Sequence, residues 1–232
     1  MQNEQAKYGS LVFFNKHLEA DDVVALLTRH ITETCAKKYG FNSNIYIIAS
    51  DRDYIQLCNN KIHLYDIGRK PISTILLGKY EQDLGMPITP TDYLLIKILT
   101  GDTADNVPGC ILTEEFISKY MPPDSPKKAT PVTKTSTALI KKLFTTAKCR
   151  DKLHELLQSA NTYLATMPEP EYEEDAAGPD SEPINSIVLP SSHESAKYFK
   201  GNQFLINVRT IDFNNIPKFL ASEITGFMEQ YI

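Results

Sequence analysis

The run "NIYIIAS" (residues 44–50), followed at short distance by "DYIQLC" (53–58) and "KIHLYDI" (61–67), constrains this chain more than any other feature. The first is a continuous apolar stretch between turn residues, which predicts a central strand buried on both faces. The second reads as a short helical turn and the third as another strand. Strand, helix and strand at this spacing are the signature of a parallel sheet, so the expected fold class is α/β. "SLVFF" (10–14), bounded by Gly9 and Asn15, predicts a short buried strand ahead of this unit. "ISTILL" (72–77) reads as a further strand behind it.

Helical patterns surround this unit. From Glu19 to Lys38 the apolar positions Val23, Val24, Leu26, Leu27 and Ile31 recur at helical spacing. "ITPTDYLLIKILTG" (88–101) opens with a capping Thr89 and Pro90 at the first helical position, then runs to Gly101. "KTSTALIKKLF" (134–144) and "CRDKLHELLQSANTYLA" (149–165) predict two more helices, with a Pro-, Ser- and Lys-rich surface loop before them at 122–131. "QFLINVRTIDF" (203–213) reads as a strand and "IPKFLASEITGFMEQYI" (216–232) as a closing helix. The domain reading is the C-terminal part of an α/β core over 1–100, a helical region over 101–166 with an insertion at about 110–131, an acidic disordered linker over 167–192, and a strand and helix over 193–232 that pack back on the core.

The net charge of −5 is unevenly distributed. "PEPEYEEDAAGPDSEP" (168–183) holds seven acidic residues and no Lys or Arg, and seven more carboxylates lie in three short clusters. Setting those fourteen aside leaves 15 acidic against 24 basic residues, a remainder of +9. An acidic centre within a cationic periphery suits a protein that holds metal ions and a polyanion together. The four cysteines are scattered, with no C-x-x-C pair, so neither a zinc site nor a disulfide framework is expected. With no membrane-length apolar run, the expectation is an intracellular protein of the cytoplasm or nucleus.

The three clusters are "LEADDVVA" (Glu19, Asp21, Asp22), "ASDRDYIQL" (Asp51, Asp53) and "TGDTADNVPG" (Asp102, Asp105). Taken singly, each has an ordinary explanation: acidic residues in a first helical turn complement the helix dipole, and aspartates after strands form turns. Taken together they have another. Ligands of open parallel sheets bind outside the carboxyl ends of the strands, and the first two clusters each follow an expected strand. Anions gathered on one edge repel one another unless cations neutralise them. An all-oxygen set without His or Cys suits hard ions, Mg²⁺ or Mn²⁺. Two such ions roughly 4 Å apart activate a water and stabilise the leaving oxygen of a phosphodiester.

"LEADDVVALL", "IASDRDYIQL" and "DYLLIKILTGDTADNVPG", in that order, resemble the 5′ nucleases: the flap endonucleases, the 5′-nuclease domain of DNA polymerase I and the phage 5′-3′ exonucleases. The resemblance covers residues 10–109 and is thinner beyond. It implies a PIN-like α/β core followed by a helix–three-turn–helix DNA-binding region. It implies structure-selective hydrolysis of duplex, flap or branched DNA with two divalent ions. Glu19, Asp21, Asp22, Asp51, Asp53, Asp102 and Asp105 fall on the family's acidic positions as expected metal ligands, with Asp51, Asp53 and Asp102 as the expected catalytic set.

The sequence departs from the family in two places. Members carry a first metal-binding aspartate on an N-terminal strand, then a basic arch, before the "EADD" motif; here that motif begins at Glu19. The expectation is either a fragment or a nuclease whose N-terminal half comes from another polypeptide. After Gly109, where members continue with a Gly-hydrophobic-Gly hairpin that often holds K⁺, "CILTEEFISKYMPPDSPKKATPV" intervenes and the second glycine is missing. A K⁺ ion in that hairpin is nonetheless part of what the resemblance implies. Lys134, Thr135 and Ser136 then align with the family's helix start, and Lys134, Thr135, Lys141 and Lys142 are the expected DNA contacts, with Lys127, Lys128, Lys148 and Arg150 nearby. A non-catalytic DNA-binding module and a PIN-like ribonuclease are the competing readings.

Overall fold

The structure, a computed structural model, describes residues 12–13, 19–40, 42–168 and 193–216, together with Ser222, Thr225 and Gly226. The acidic segment from residue 169 onward lies outside the described residues, as does most of the expected closing helix, of which Ser222, Thr225 and Gly226 are helical. Of the strand expected over 10–14, only Val12 and Phe13 are described, and neither is in a strand.

The parallel pair read from the sequence is present. β1 (Ile45–Ile48) pairs in parallel with β2 (Ile62–Tyr65), Ile45 opposite Ile62 and Ile48 opposite Tyr65, and a 3₁₀ turn (Asp53–Leu57) forms the crossover. Burial on both faces is not present. Ile47, Ile62 and Leu64 are buried on one face, whereas Tyr46 and Ile48 are each 59% exposed on the other. Among the described residues nothing covers that second face, so β1 alternates like a half-buried strand despite its unbroken apolar sequence.

Before β1 stands α1 (Ala20–Arg29), prolonged through a π-helical stretch (His30–Cys35) into α2 (Ala36–Tyr39), which Gly40 ends in the left-handed conformation. After β2 the expected strand over 72–77 is instead the start of α3 (Ile72–Leu84). Six β-branched and apolar residues cannot by themselves distinguish strand from helix. Leu77, Tyr80 and Leu84, at helical spacing, pack on the larger core, and Gly85 closes the helix in the left-handed region.

α4 (Pro90–Thr100) begins as the sequence predicts. Thr89 and Asp92 form a reciprocal capping box, with Thr89 Oγ1 accepting from the Asp92 N–H at 3.1 Å and Asp92 Oδ2 accepting from the Thr89 N–H at 2.8 Å. Beyond the acidic loop, the expected insertion is a closed excursion. It contains β3 (Ile111–Leu112), α5 (Glu114–Tyr120) and β4 (Thr130–Pro131), and β3 pairs antiparallel with β4. The Val132 N–H donates to the Cys110 carbonyl at 2.8 Å, so the chain returns to the point it left.

α6 (Thr137–Thr145) and α7 (Ala147–Leu164) follow. The strand expected over 203–213 is a helix, α9 (Gln203–Ile211), preceded by the short α8 (Ser195–Tyr198). Phe204, Leu205, Val208 and Ile211 are buried at positions i, i+1, i+4 and i+7, a helical stripe that its β-branched members disguise in sequence. The larger core gathers α4 to α9, and a smaller one lies between β1, β2 and the 3₁₀ turn. All four cysteines are free and buried.

Candidate metal centre

The loop after α4 owes its shape to two glycines. Gly101 has φ 74° and ψ 178°, and a Cβ there would stand 2.4 Å from the Val107 carbonyl oxygen. A Cβ on Gly109 would stand 2.5 Å from the Val132 carbonyl oxygen. Only glycine permits backbones to approach so closely. Asp102 and Val107 exchange both backbone hydrogen bonds, at 2.9 and 2.7 Å, with Asn106 in the left-handed region between them. The fully buried Asn207 of α9 clamps both ends, its Nδ2 donating to the Ile98 carbonyl at 2.7 Å and the Pro108 carbonyl at 2.8 Å. The pinched loop faces Asp102 and Asp105 toward the 3₁₀ turn that follows β1.

There they meet Asp53. One carboxylate oxygen from each of Asp53, Asp102 and Asp105 lies within 4.8 Å of the others, close enough to share a cation. Asp51 supports the turn, its Oδ1 accepting from the Asp53 N–H at 2.8 Å. Glu19, Asp21, Asp22 and Asp51 line a cavity of about 410 Å³ together with Asp53 and Asp105. Asp102 opens instead on a neighbouring cavity of about 330 Å³, with Asp53, Arg52, Tyr80, Tyr93 and Lys134. The structure thus gathers the carboxylates from the three sequence clusters around two adjoining cavities, three of them in a tight group.

The protonation balance shows their mutual cost. Burial pushes Asp22 up to about 6, with repulsion from Asp21 and Glu19 adding to it. Glu19 is raised by Asp21, by burial and by Asp105. Burial raises Asp53 despite its cationic neighbour, and burial and Asp102 together raise Asp105. Burial also acts upward on Asp102, but the hydrogen bonds from Lys97 and from the Ala104 N–H outweigh it and hold this carboxyl below its ordinary range. Carboxylates that resist ionising together fit a site for a hard divalent cation, whose charge removes that resistance.

Lys97, on α4, is the residue that sequence reasoning passes over. Its ammonium donates to Asp53 Oδ1 and lies 2.6 Å from Asp102 Oδ2. The signal is a single charged residue inside the apolar run "LLIKILTGD". A second unanticipated group fixes α4 itself. Asp92 is fully buried and accepts from Arg150 Nε at 2.9 Å, from a second Arg150 nitrogen at 2.6 Å, and pairs with His154 Nε2 at 2.8 Å. Arg150, expected among the DNA-facing cations, is instead engaged by the buried Asp92, with 28% of its side chain exposed.

The other expected DNA contacts divide. Lys134 is exposed beside the acidic group, with its Nζ 3.9 Å from Asp102 Oδ1. Lys141 is exposed on α6. Lys142 is tied to Asp124 at 2.7 Å, and it lines a separate cavity of about 560 Å³ with Thr135. Lys148 donates to the Lys119 carbonyl at 2.5 Å. Ser136 stands at the N-cap of α6 with its Oγ accepting from the Thr133 N–H at 3.2 Å. Among the described residues no helix is long and apolar enough to cross a membrane.

No protein-family model and no solved structure matches the chain. Two curated proteins do. A DNA polymerase I of Rhizobium leguminosarum is 29% identical over 98 residues, 39% of this chain and 8% of that protein. A 5′-3′ exonuclease of Buchnera aphidicola subsp. Schizaphis graminum (strain Sg) is 28% identical over 92 residues, 40% of this chain and 28% of that protein. The chain spans less than a third of either relative. Over about two-fifths of its length, then, this chain is similar to a DNA polymerase I and to a 5′-3′ exonuclease.

Proposed function

We propose that this chain carries the metal-binding and duplex-holding part of a 5′ nuclease that hydrolyses DNA phosphodiesters, acting as a 5′-3′ exonuclease or flap endonuclease. The observation that carries the reading is the approach of Asp53, Asp102 and Asp105 to within 4.8 Å of one another, in a chain whose relatives include a 5′-3′ exonuclease. Asp53, Asp102 and Asp105 would hold one divalent ion, and Glu19, Asp21, Asp22 and Asp51 around the adjoining cavity would hold a second. Bound Mg²⁺ or Mn²⁺ lowers the pKa of a water and offsets charge on a departing oxygen. The protein's own part is to keep these carboxylates converged and to present cations to the phosphate. Asp92 and Arg150 fix α4, Asn207 and the two glycines fix the loop, and Arg52 and Lys134 stand on the open side.

In this reading β1, β2 and the flanking helices are the later part of a PIN-like core. The Gly109 turn and α6 form the helix–three-turn–helix element, with residues 111–131 as an excursion within it, and Lys134, Thr135, Lys141 and Lys142 face the duplex. A K⁺ ion belongs to the same turn in the family's pattern. Residues 1–18 contain no aspartate to match the family's first-strand ligand. These 232 residues alone are therefore expected to cleave slowly, and a polypeptide carrying that aspartate and the basic arch is expected to accelerate them. The test is hydrolysis of a labelled 5′-flap DNA in Mg²⁺, with and without that polypeptide. Acceleration that Asp102→Asn abolishes supports the reading. A protein whose melting temperature ignores Mg²⁺ and Mn²⁺ refutes it.

A further inference from the structure

The Lys97 ammonium is bonded to two of the three carboxylates that lie closest together, and its side chain is only 14% exposed. A divalent ion shared by Asp53 and Asp102 must approach their oxygens to about 2.1 Å, as Mg²⁺ requires. An ammonium already bonded to those oxygens obstructs that approach, both by occupying the space between them and by its charge. Lys97 also forms part of the wall between the two cavities: it lines the acidic cavity on one side and, on the other, the cavity of about 330 Å³ that holds Arg52, Tyr80, Tyr93 and Lys134. A four-carbon stem anchored on α4 between two open spaces has somewhere to turn.

We propose that Lys97 is an exchangeable internal counter-ion: it holds Asp53 and Asp102 together before a metal arrives, competes with the metal for them, and turns into the neighbouring cavity when displaced. The inference rests on the metal-binding reading and adds to it a residue that works against metal affinity while preserving the site. A purely structural lysine would do the reverse, since its loss would scatter the ligands and weaken binding. Lys134 supplies the contrast, because it also carries a positive charge near Asp102, at 3.9 Å, but stands outside the group with 57% of its side chain exposed.

The experiment is isothermal calorimetry of Mn²⁺ binding to the full chain, comparing wild type with Lys97→Met, Lys97→Gln and Lys134→Met, each checked for native circular dichroism. Removing a competitor that makes charge-assisted hydrogen bonds should tighten Mn²⁺ binding about tenfold in both Lys97 variants. Lys134→Met should change it by no more than about threefold, as a screened surface charge does. The metal-free Lys97 variants should also melt below wild type and recover more than wild type on adding Mn²⁺. Unchanged or weaker Mn²⁺ affinity in folded Lys97→Met or Lys97→Gln, with wild type binding normally, overturns the counter-ion role alone. So does an equal gain in Lys134→Met, which would reduce the effect to general charge. Absence of Mn²⁺ binding in every protein overturns the role together with the metal-binding reading beneath it.

Discussion

Replacing Gly101 by alanine tests whether the acidic loop is shaped by close backbone approach. With φ 74° and ψ 178°, Gly101 lies in a region almost reserved for glycine. The added Cβ would meet the Val107 oxygen at 2.4 Å, the Pro108 carbonyl carbon at 2.5 Å and the Gly109 nitrogen at 2.6 Å. All three are backbone atoms, so no side chain can rotate away. The dihedral strain alone costs about 1–3 kcal/mol. Relieving the contacts means opening the two hydrogen bonds between Asp102 and Val107, each worth about 1 kcal/mol. The expected loss is about 3–5 kcal/mol, which in a chain of this size lowers the melting temperature by on the order of 10 °C. Gly85→Ala is the control: φ is 75° but the nearest atom to the new Cβ is Lys141 Nζ at 3.9 Å, leaving only the left-handed penalty of about 1–2 kcal/mol. Both variants would be followed by thermal circular dichroism without metal. If Gly101→Ala melts no lower than Gly85→Ala, the close-approach argument is wrong.

Asp92→Asn should destabilise the fold by about 3 kcal/mol, the low end for breaking a buried ion pair, because Arg150 keeps partial access to solvent; urea denaturation reads it, and a loss under about 1 kcal/mol would count against the buried pair. Although burial opposes it, the hydrogen bonds from His154, Arg150 and Thr89 hold the Asp92 carboxyl far below its ordinary range. A depressed folded-state pKa gives stability that is present above the unfolded value of about 4 and fades as pH falls toward the folded one, so wild type should lose stability below about pH 4 and Asp92→Asn should lose less. Neutralising Lys134 and Lys141 should weaken binding of a DNA duplex and reduce the slope of log affinity against log salt by about 2, one unit for each phosphate left without its cation, whereas unchanged salt dependence would remove these lysines from the interface. Asp53→Asn combined with Asp102→Asn should abolish any rise of melting temperature with Mg²⁺; a full rise in the double variant would move the ion elsewhere.

Local signals make α4 readable, because Thr89, Pro90 and Gly101 mark its two ends by chemistry that acts within a few residues. The β1–β2 pair is readable for the same reason, through an apolar run, a short turn and a second run. The helices at 72–84 and 203–211 read as strands in sequence because a short window of Ile, Leu and Val fits either period, and only contacts with distant segments decide between them. Burial fails differently: the sequence of β1 is apolar on both faces, but exposure depends on what lies over it, which no residue of β1 specifies. At the site, acidic residues announce themselves by clustering, while their partners do not. Lys97 reaches Asp53 across 44 positions, Arg150 reaches Asp92 across 58, and Asn207 reaches Ile98 across 109. Such pairings are properties of the folded surface, invisible to periodicity.

The excursion over 111–131 is more than a spliced loop. Leu112 and Phe116 are fully buried, Leu112 forms a bridge with Phe199, Phe116 packs against Tyr198 and Phe199, and the Thr113 N–H donates to the Tyr198 carbonyl at 2.9 Å. The segment that carries α8 and α9 therefore docks onto the excursion before its Asn207 reaches the acidic loop. Amide hydrogens of α5 and α8 should exchange with solvent as one cooperative unit, opening and closing together even though 75 positions separate Tyr120 from Ser195. Deleting the excursion should therefore loosen the returning chain and, with it, the clamp that Asn207 places on the acidic loop.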